Sequence, residues 1–210
     1  MKEVYLLAKI HEPLILISSA YDDVLECSFD KAGKRYIELT SLVNRYDQYD
    51  IGHLVVRYSD RAKPEIYRPI EEEISRFRWY EEGYSLIFKI RGTCSSSKAE
   101  HEYQRESLTV TESDYFTFAR YAEKMIPSYL AKHFKHKGFL FLGFSPKSWE
   151  ERLLVNALLE RRKNVYPKDP AYTVSTCQDP LEAAYWLGQQ VQQHDMDLRK
   201  LAEYLEEALL

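Results

Sequence analysis

Short apolar runs alternate along this chain with stretches whose apolar positions recur every three or four residues. These are the periods of buried strands and of amphipathic helices. Pro13 to Ser18 is a β-branched run that reads as a buried strand. In the stretch that follows, Val24, Leu25 and Phe29 share one helical face, with Asp22 and Asp23 in the first turn. Arg35 to Thr40, His53 to Tyr58 and Ser85 to Ile90 read as further strands. Between them, 44–50 reads as a polar loop, 57–68 as an exposed excursion and 71–77 as a short helix. Residues 95–100 form a small polar loop, and Leu108 to Thr111 is a short β-prone piece.

The second half repeats the alternation. Thr111 is a helix N-cap followed by an acidic turn, Glu112 to Asp114. That helix should carry Tyr115, Phe118, Tyr121 and Ala122 until Pro127 interrupts it, and a second helix should cover Ser128 to Phe134. The run from Gly138 ends as a strand at Gly143, and a helix starts at about Ser148 and runs to Arg162. Tyr172 to Thr176 is a last strand. Asp179-Pro180 opens a helix as N-cap and first-turn proline, with Leu181, Ala184, Tyr185 and Leu187 as its expected buried face. A final helix, Asp197 to Leu209, repeats apolar residues at Leu198, Leu201, Tyr204, Leu205 and Ala208. Trp149 and Trp186 are expected in the core. The expected fold is α/β: a Rossmann-like layered fold, its mostly parallel sheet flanked by helices, in one domain over 1–210.

Composition narrows the partners. Apolar residues are 45% and charged residues 30%, ordinary values for a soluble domain. No stretch approaches the ~20 apolar residues that span a bilayer, and the N-terminal apolar run is too short for a signal peptide. A cytoplasmic protein is expected. The net charge of −4 gives no reason to expect nucleic acid or membrane as a partner. Cys27, Cys94 and Cys177 lie far apart without a C-x-x-C pair, so no metal site is expected. Cys94 and His101 could be imagined as nucleophile and base, but nothing orders them. Asp22, Asp23, Glu26 and Asp30 read as a solvated acidic face. Seven glycines leave little room for glycine-rich phosphate loops, whereas 17 tyrosines suit a protein partner or homo-oligomer.

Taken in order, five motifs resemble the sirtuin-like domains common in prokaryotic NAD-degrading immune proteins. The first is Ser18-Ser19-Ala20-Tyr21-Asp22 with Leu25-Glu26 behind it, where the family has Thr-Thr-Asn-Tyr-Asp and Leu-Glu. The second is Arg91-Gly92 at a strand end, where the family has His-Gly. Thr111-Glu112-Ser113-Asp114-Tyr115 matches its threonine-acidic-tyrosine helix start. Phe141-Leu142-Gly143-Phe144-Ser145 matches its Leu-Phe-Leu-Gly-Tyr-Ser strand, and Ser148-Trp149 with Arg152-Leu153-Leu154 its helix. In the tail, Tyr185-Trp186, Asp195 to Asp197 and Glu203-Tyr204-Leu205 also fit. The resemblance runs from about Pro13 to the C-terminus.

What the resemblance implies depends on three departures. The family's opening strand and Gly-Ala-Gly-type loop have no counterpart in the roughly twelve residues before Pro13. Ala20 replaces the asparagine that orients the nicotinamide ribose and water. Arg91 replaces the histidine that accepts a proton; a guanidinium, with its pKa above ~12, offers donors only. Losing a general base alone costs ~10²–10⁴ in rate. The resemblance therefore implies a degenerate member with no catalytic residues, a structural or regulatory subunit in a bacterial defence or signalling assembly. The alternatives are NAD cleavage to nicotinamide and ADP-ribose, completed by a partner chain, or binding of NAD or ADP-ribose without turnover. No cofactor is required by the leading reading. If a nucleotide binds, the family pattern places its contacts at Gly143, Ser145, Arg91, Gly92, Ser19 and Asp22. Gly143 could equally serve only the strand's turn, Asp22 the cap of the next helix, and Arg91 a pairing with a carboxylate.

Overall fold

The computed structural model describes residues 2–42, 51–67, 78–94, 107–163, 165–166, 169–176 and 179–209. These fall into two compact units, Met1–Ser128 and Tyr129–Leu210. The sequence readings at 44–50, 71–77 and 95–100, together with His101 and Cys177, lie outside the described residues.

In the first unit the chain runs α1 (Lys2–Lys9), β1 (Ile15–Ser18), α2 (Val24–Ala32), β2 (Tyr36–Ser41), β3 (Leu54–Tyr58), β4 (Glu65–Tyr67), β5 (Ser85–Lys89) and α3 (Glu112–Met125). The sheet order is β1-β5-β2-β3-β4. β1, β5 and β2 run parallel, and β3 and β4 add antiparallel. Ile37, Leu39, Leu86 and Phe88 line one buried face. On the other, Tyr36 and Ile87 form a core with Ala8 of α1 and Phe29 of α2. Phe29 meets Tyr36 edge-on at 5.9 Å. Gly33 at φ +67° stops α2 and turns the chain into β2.

The second unit begins inside α4 (Ser128–His136), whose first residue closes the first unit, and continues beyond that helix. It comprises β6 (Leu140–Leu142), α5 (Trp149–Leu159) with a 3₁₀ turn, β7 (Ala171–Ser175), α6 (Pro180–Gly188), β8 (Val191–Asp195) and α7 (Leu198–Leu209). Its sheet, β6-β7-β8, is wholly parallel. The fold is thus α/β and Rossmann-like, with parallel strands crossing through helices and an antiparallel hairpin at one edge. No described helix is long and apolar enough to cross a membrane.

Local capping chemistry behaves as the sequence implies. Thr111 and Ser148 each close a capping box, with Asp114 and Glu151 respectively. The Asp179 side chain accepts from Leu181 N at 2.9 Å, ahead of Pro180.

Several readings need correction. α1 was not expected; eight residues make a marginal helix alone, and it forms because Leu6 and Ala8 become buried. The stretch 57–67 holds the end of β3, the turn and β4 of a β3–β4 hairpin, with an Arg61–Glu65 ion pair of 2.7 Å at the turn. Leu108 to Val110 makes no strand; Thr109 N donates a single bond to Arg91 O. β8 was missed because Val-Gln-Gln-His-Asp has no apolar alternation. Trp149 is 44% exposed, whereas Trp186 is fully buried against Phe141, ring centroids 4.9 Å apart. The expected face of α6 is inverted: Leu181 and Leu187 point to solvent and Glu182 is buried.

Candidate functional site

The C-terminal ends of parallel strands are where α/β sheets bind ligands, because the loops there present free backbone groups. In the first unit those ends belong to β1 and β5, and they gather Ser19, Asp22, Arg91 and Gly92. Ile90 N donates to Ser18 O, which places the 19–22 loop beside the 91–94 loop. Tyr21 is the hub. Its hydroxyl donates to Thr109 O at 2.6 Å, and its carbonyl accepts from Cys94 N at 2.9 Å.

Arg91 is held between rings. Its guanidinium carbon lies 4.6 Å from the Tyr21 ring centre and 5.6 Å from that of Tyr115. Sequence reasoning set a phosphate against a carboxylate as its partner; the neighbours seen among the described residues are these two aromatic faces. Gly92 sits at φ +86°, and a Cβ there would lie 2.2 Å from Ser107 O. It is glycine because the 91–94 and 107–109 backbones cross at contact distance. Asp22 Oδ1 accepts from Val24 N at 3.2 Å, the helix-entry role that its position suggests. Ala20 is exposed and brings no functional group, and Ser19 is half-buried.

Beneath this loop lies a feature the sequence reading missed. Lys89, the last residue of β5, is 1% exposed, and its ammonium donates to Asp22 O. It lies 3.4 Å from Glu26 of α2, itself 2% exposed. Glu26 therefore does not belong to a solvated acidic face. Burial pushes its carboxyl above the ordinary value of 4.5; Lys89 pulls it back down, and buried Glu38 of β2 pushes it further up. The available signal was a lysine inside the otherwise apolar run Leu86-Ile-Phe-Lys-Ile90. A cation is tolerated there only with a countercharge.

The second unit holds Gly143 and Ser145 after β6. Gly143 has φ +61°, and a Cβ there would come 3.2 Å from Leu198 Cδ1, so α7 lies over the turn. The Ser145 hydroxyl donates to Glu182 Oε2 at 2.6 Å, and the indole of Trp186 donates to Oε1 at 3.4 Å. This charge-assisted bond explains why a carboxylate takes the inward position of α6. Ser145→Ala removes that donor from a buried carboxylate. Stability should fall by about 1–3 kcal/mol, read as a lower urea midpoint.

Chemically, the strand ends offer donors, rings and a backbone cap. Around Ala20 and Arg91, the imidazole–amide pair that the motif pattern calls for is absent from the described residues. No cluster of histidine, cysteine or acidic side chains able to hold a metal occurs among the described residues.

The sequence model of the SIR2-like domain family matches residues 15–194, from the start of β1 almost to the end of β8. No curated protein matches the chain.

Proposed function

From the premise that this chain belongs to the SIR2-like domain family, we propose that it works without turning NAD over. Its role is that of a structural or regulatory subunit in a bacterial defence or signalling assembly, the setting of the immune proteins its motifs resemble. One observation carries the non-catalytic part. The position where those motifs carry a histidine holds Arg91, fixed between Tyr21 and Tyr115. A guanidinium there stays protonated and cannot take a proton from a ribose hydroxyl or from water. The occupied Ser145 hydroxyl and the Leu198 side chain over Gly143 support the same reading.

The test is an NAD cleavage assay on the pure full chain. Nicotinamide release should not exceed the protein-free blank. Turnover that disappears on Ser145→Ala, with the variant still folded, would overturn the proposal.

A second reading, nucleotide binding without chemistry, draws on one observation. Arg91 Nε is buried without a hydrogen-bond partner among the described residues. Under that reading, calorimetry with ADP-ribose shows heat that Arg91→Ala removes; under the leading reading, neither protein gives heat.

A further inference from the structure

α6 is built inside out. Its one charged residue, Glu182, is buried, while Pro180, Leu181, Ala183, Ala184, Leu187 and Gly188 are all exposed. Leu181 and Leu187 reach 73% and 78% exposure. A surface helix normally shows the reverse, charged outward and apolar inward. A contiguous apolar face of this kind marks a contact surface.

The adjoining strand has the same character. β8 pairs with β7 and ends the sheet order, with no strand on its outer side among the described residues. Exposed sheet edges are usually blunted by lysine, proline, a bulge or short length. β8 is five residues, Val-Gln-Gln-His-Asp, without lysine or proline, and it pairs in unbroken register. Between α6 and β8 lies an open groove of about 420 Å³, lined by Ala183, Leu187, Gln190, Val191, Gln192 and Gln193.

We propose that two copies of this chain pair through β8 and α6 about a two-fold axis normal to the sheet. The two β8 strands run antiparallel with Gln193 opposite its own copy, and the two three-stranded sheets become one. That rotation keeps both α6 helices on the same side of the joined sheet. Each exposed leucine face then packs beside the other's groove. A second copy is the occupant because strand edge and apolar helix lie together, and an isologous partner presents both at once. A lone strand would cover the edge and leave Leu181 and Leu187 in water. Charge agrees with the register. Asp195 falls opposite Val191 and His194 opposite Gln192, so no like charges meet directly across the pair. Centring on Gln193 also uses all five residues of the strand. The interface stands whether or not NAD is turned over.

The test is sedimentation of the full chain with two variants. The wild type should sediment at twice the chain mass. Leu187→Glu, at an exposed position, should keep its circular dichroism and sediment at the chain mass. Gln193→Cys should give a disulfide-linked dimer under mild oxidant, because directly opposed Cβ atoms lie ~4.5–5.5 Å apart. The parent chain, with its own cysteines, should not. A monomeric wild type, or a dimer that Leu187→Glu leaves intact, would overturn the proposal. A dimer lost on Leu187→Glu but never cross-linked through Gln193→Cys would overturn the strand pairing.

Discussion

Lys89→Met should cost about 3–5 kcal/mol of stability, a large share of the ~5–15 kcal/mol that holds a domain folded. The reason is what the substitution leaves behind. Lys89 is the cation beside Glu26, both almost wholly buried, with buried Glu38 close enough to raise the Glu26 carboxyl. Methionine fills the volume but removes the charge and the donor to Asp22 O. Urea unfolding should show the midpoint falling. The double variant Lys89→Met with Glu26→Leu should recover most of the loss, because it removes both charges rather than stranding one. If the single and double variants fall equally, the pair contributes nothing beyond packing.

The pH dependence follows from the same group. Glu26 has its folded-state pKa raised above 4.5. Below 4.5 the carboxyl is protonated in both states and its contribution is fully present. Between 4.5 and the folded value folding takes up a proton, which becomes more costly as pH rises, so the contribution is lost by the time pH has passed the folded value. In Lys89→Met the downward pull disappears, so this window extends to higher pH and acid partly restores stability. Arg57, opposite Glu38 across the β2–β3 pair, and Tyr36 on the same face are unchanged by the substitution.

Gly92→Ala should cost about 2–5 kcal/mol, combining a strained left-handed backbone with a forced separation of two segments. The added Cβ would meet Ser107 O at 2.2 Å and Ser107 C at 2.6 Å, backbone atoms that cannot rotate away. Either φ moves from +86° or the 107–109 segment lifts off, breaking the Thr109 N to Arg91 O bond. Thermal melting should show a large fall, and amide exchange at Thr109 should speed up. Gly143→Ala is the control. It is also left-handed, but its Cβ would meet only the tip of Leu198, which can yield. A normal melting curve for Gly92→Ala would mean that the loop crossing is not needed for folding.

The helix caps and the α/β class were legible because local chemistry and periodicity specify them, whereas the strand order came only from the tertiary structure. Thr111, Ser148 and Asp179 cap helices with bonds spanning two or three residues, which sequence spacing shows directly. The buried strands Tyr36–Ser41 and Ser85–Lys89 were legible because parallel strands covered on both faces are rich in apolar residues. α6 was misread for a definite reason. Its nine residues, Pro-Leu-Glu-Ala-Ala-Tyr-Trp-Leu-Gly, are apolar nearly all round, so periodicity could not choose a face. The choice was made by Ser145, 37 residues away, whose hydroxyl draws Glu182 inward.

Sequence by itself determined the class of fold, most helix starts and the identity of the motif residues, with a methyl group at Ala20 and a permanently protonated guanidinium at Arg91. Those properties lie in residue identity and short spacing, which folding does not alter. Only the tertiary structure decided that Arg91 lies between two tyrosines, that Lys89 and Glu26 form a buried pair, and that α6 shows leucines to solvent. Each rests on partners distant in the chain, and a side chain's energy depends on which neighbours replace its water. The strand-end residues thus carry the family's pattern, while their bonds hold loops together.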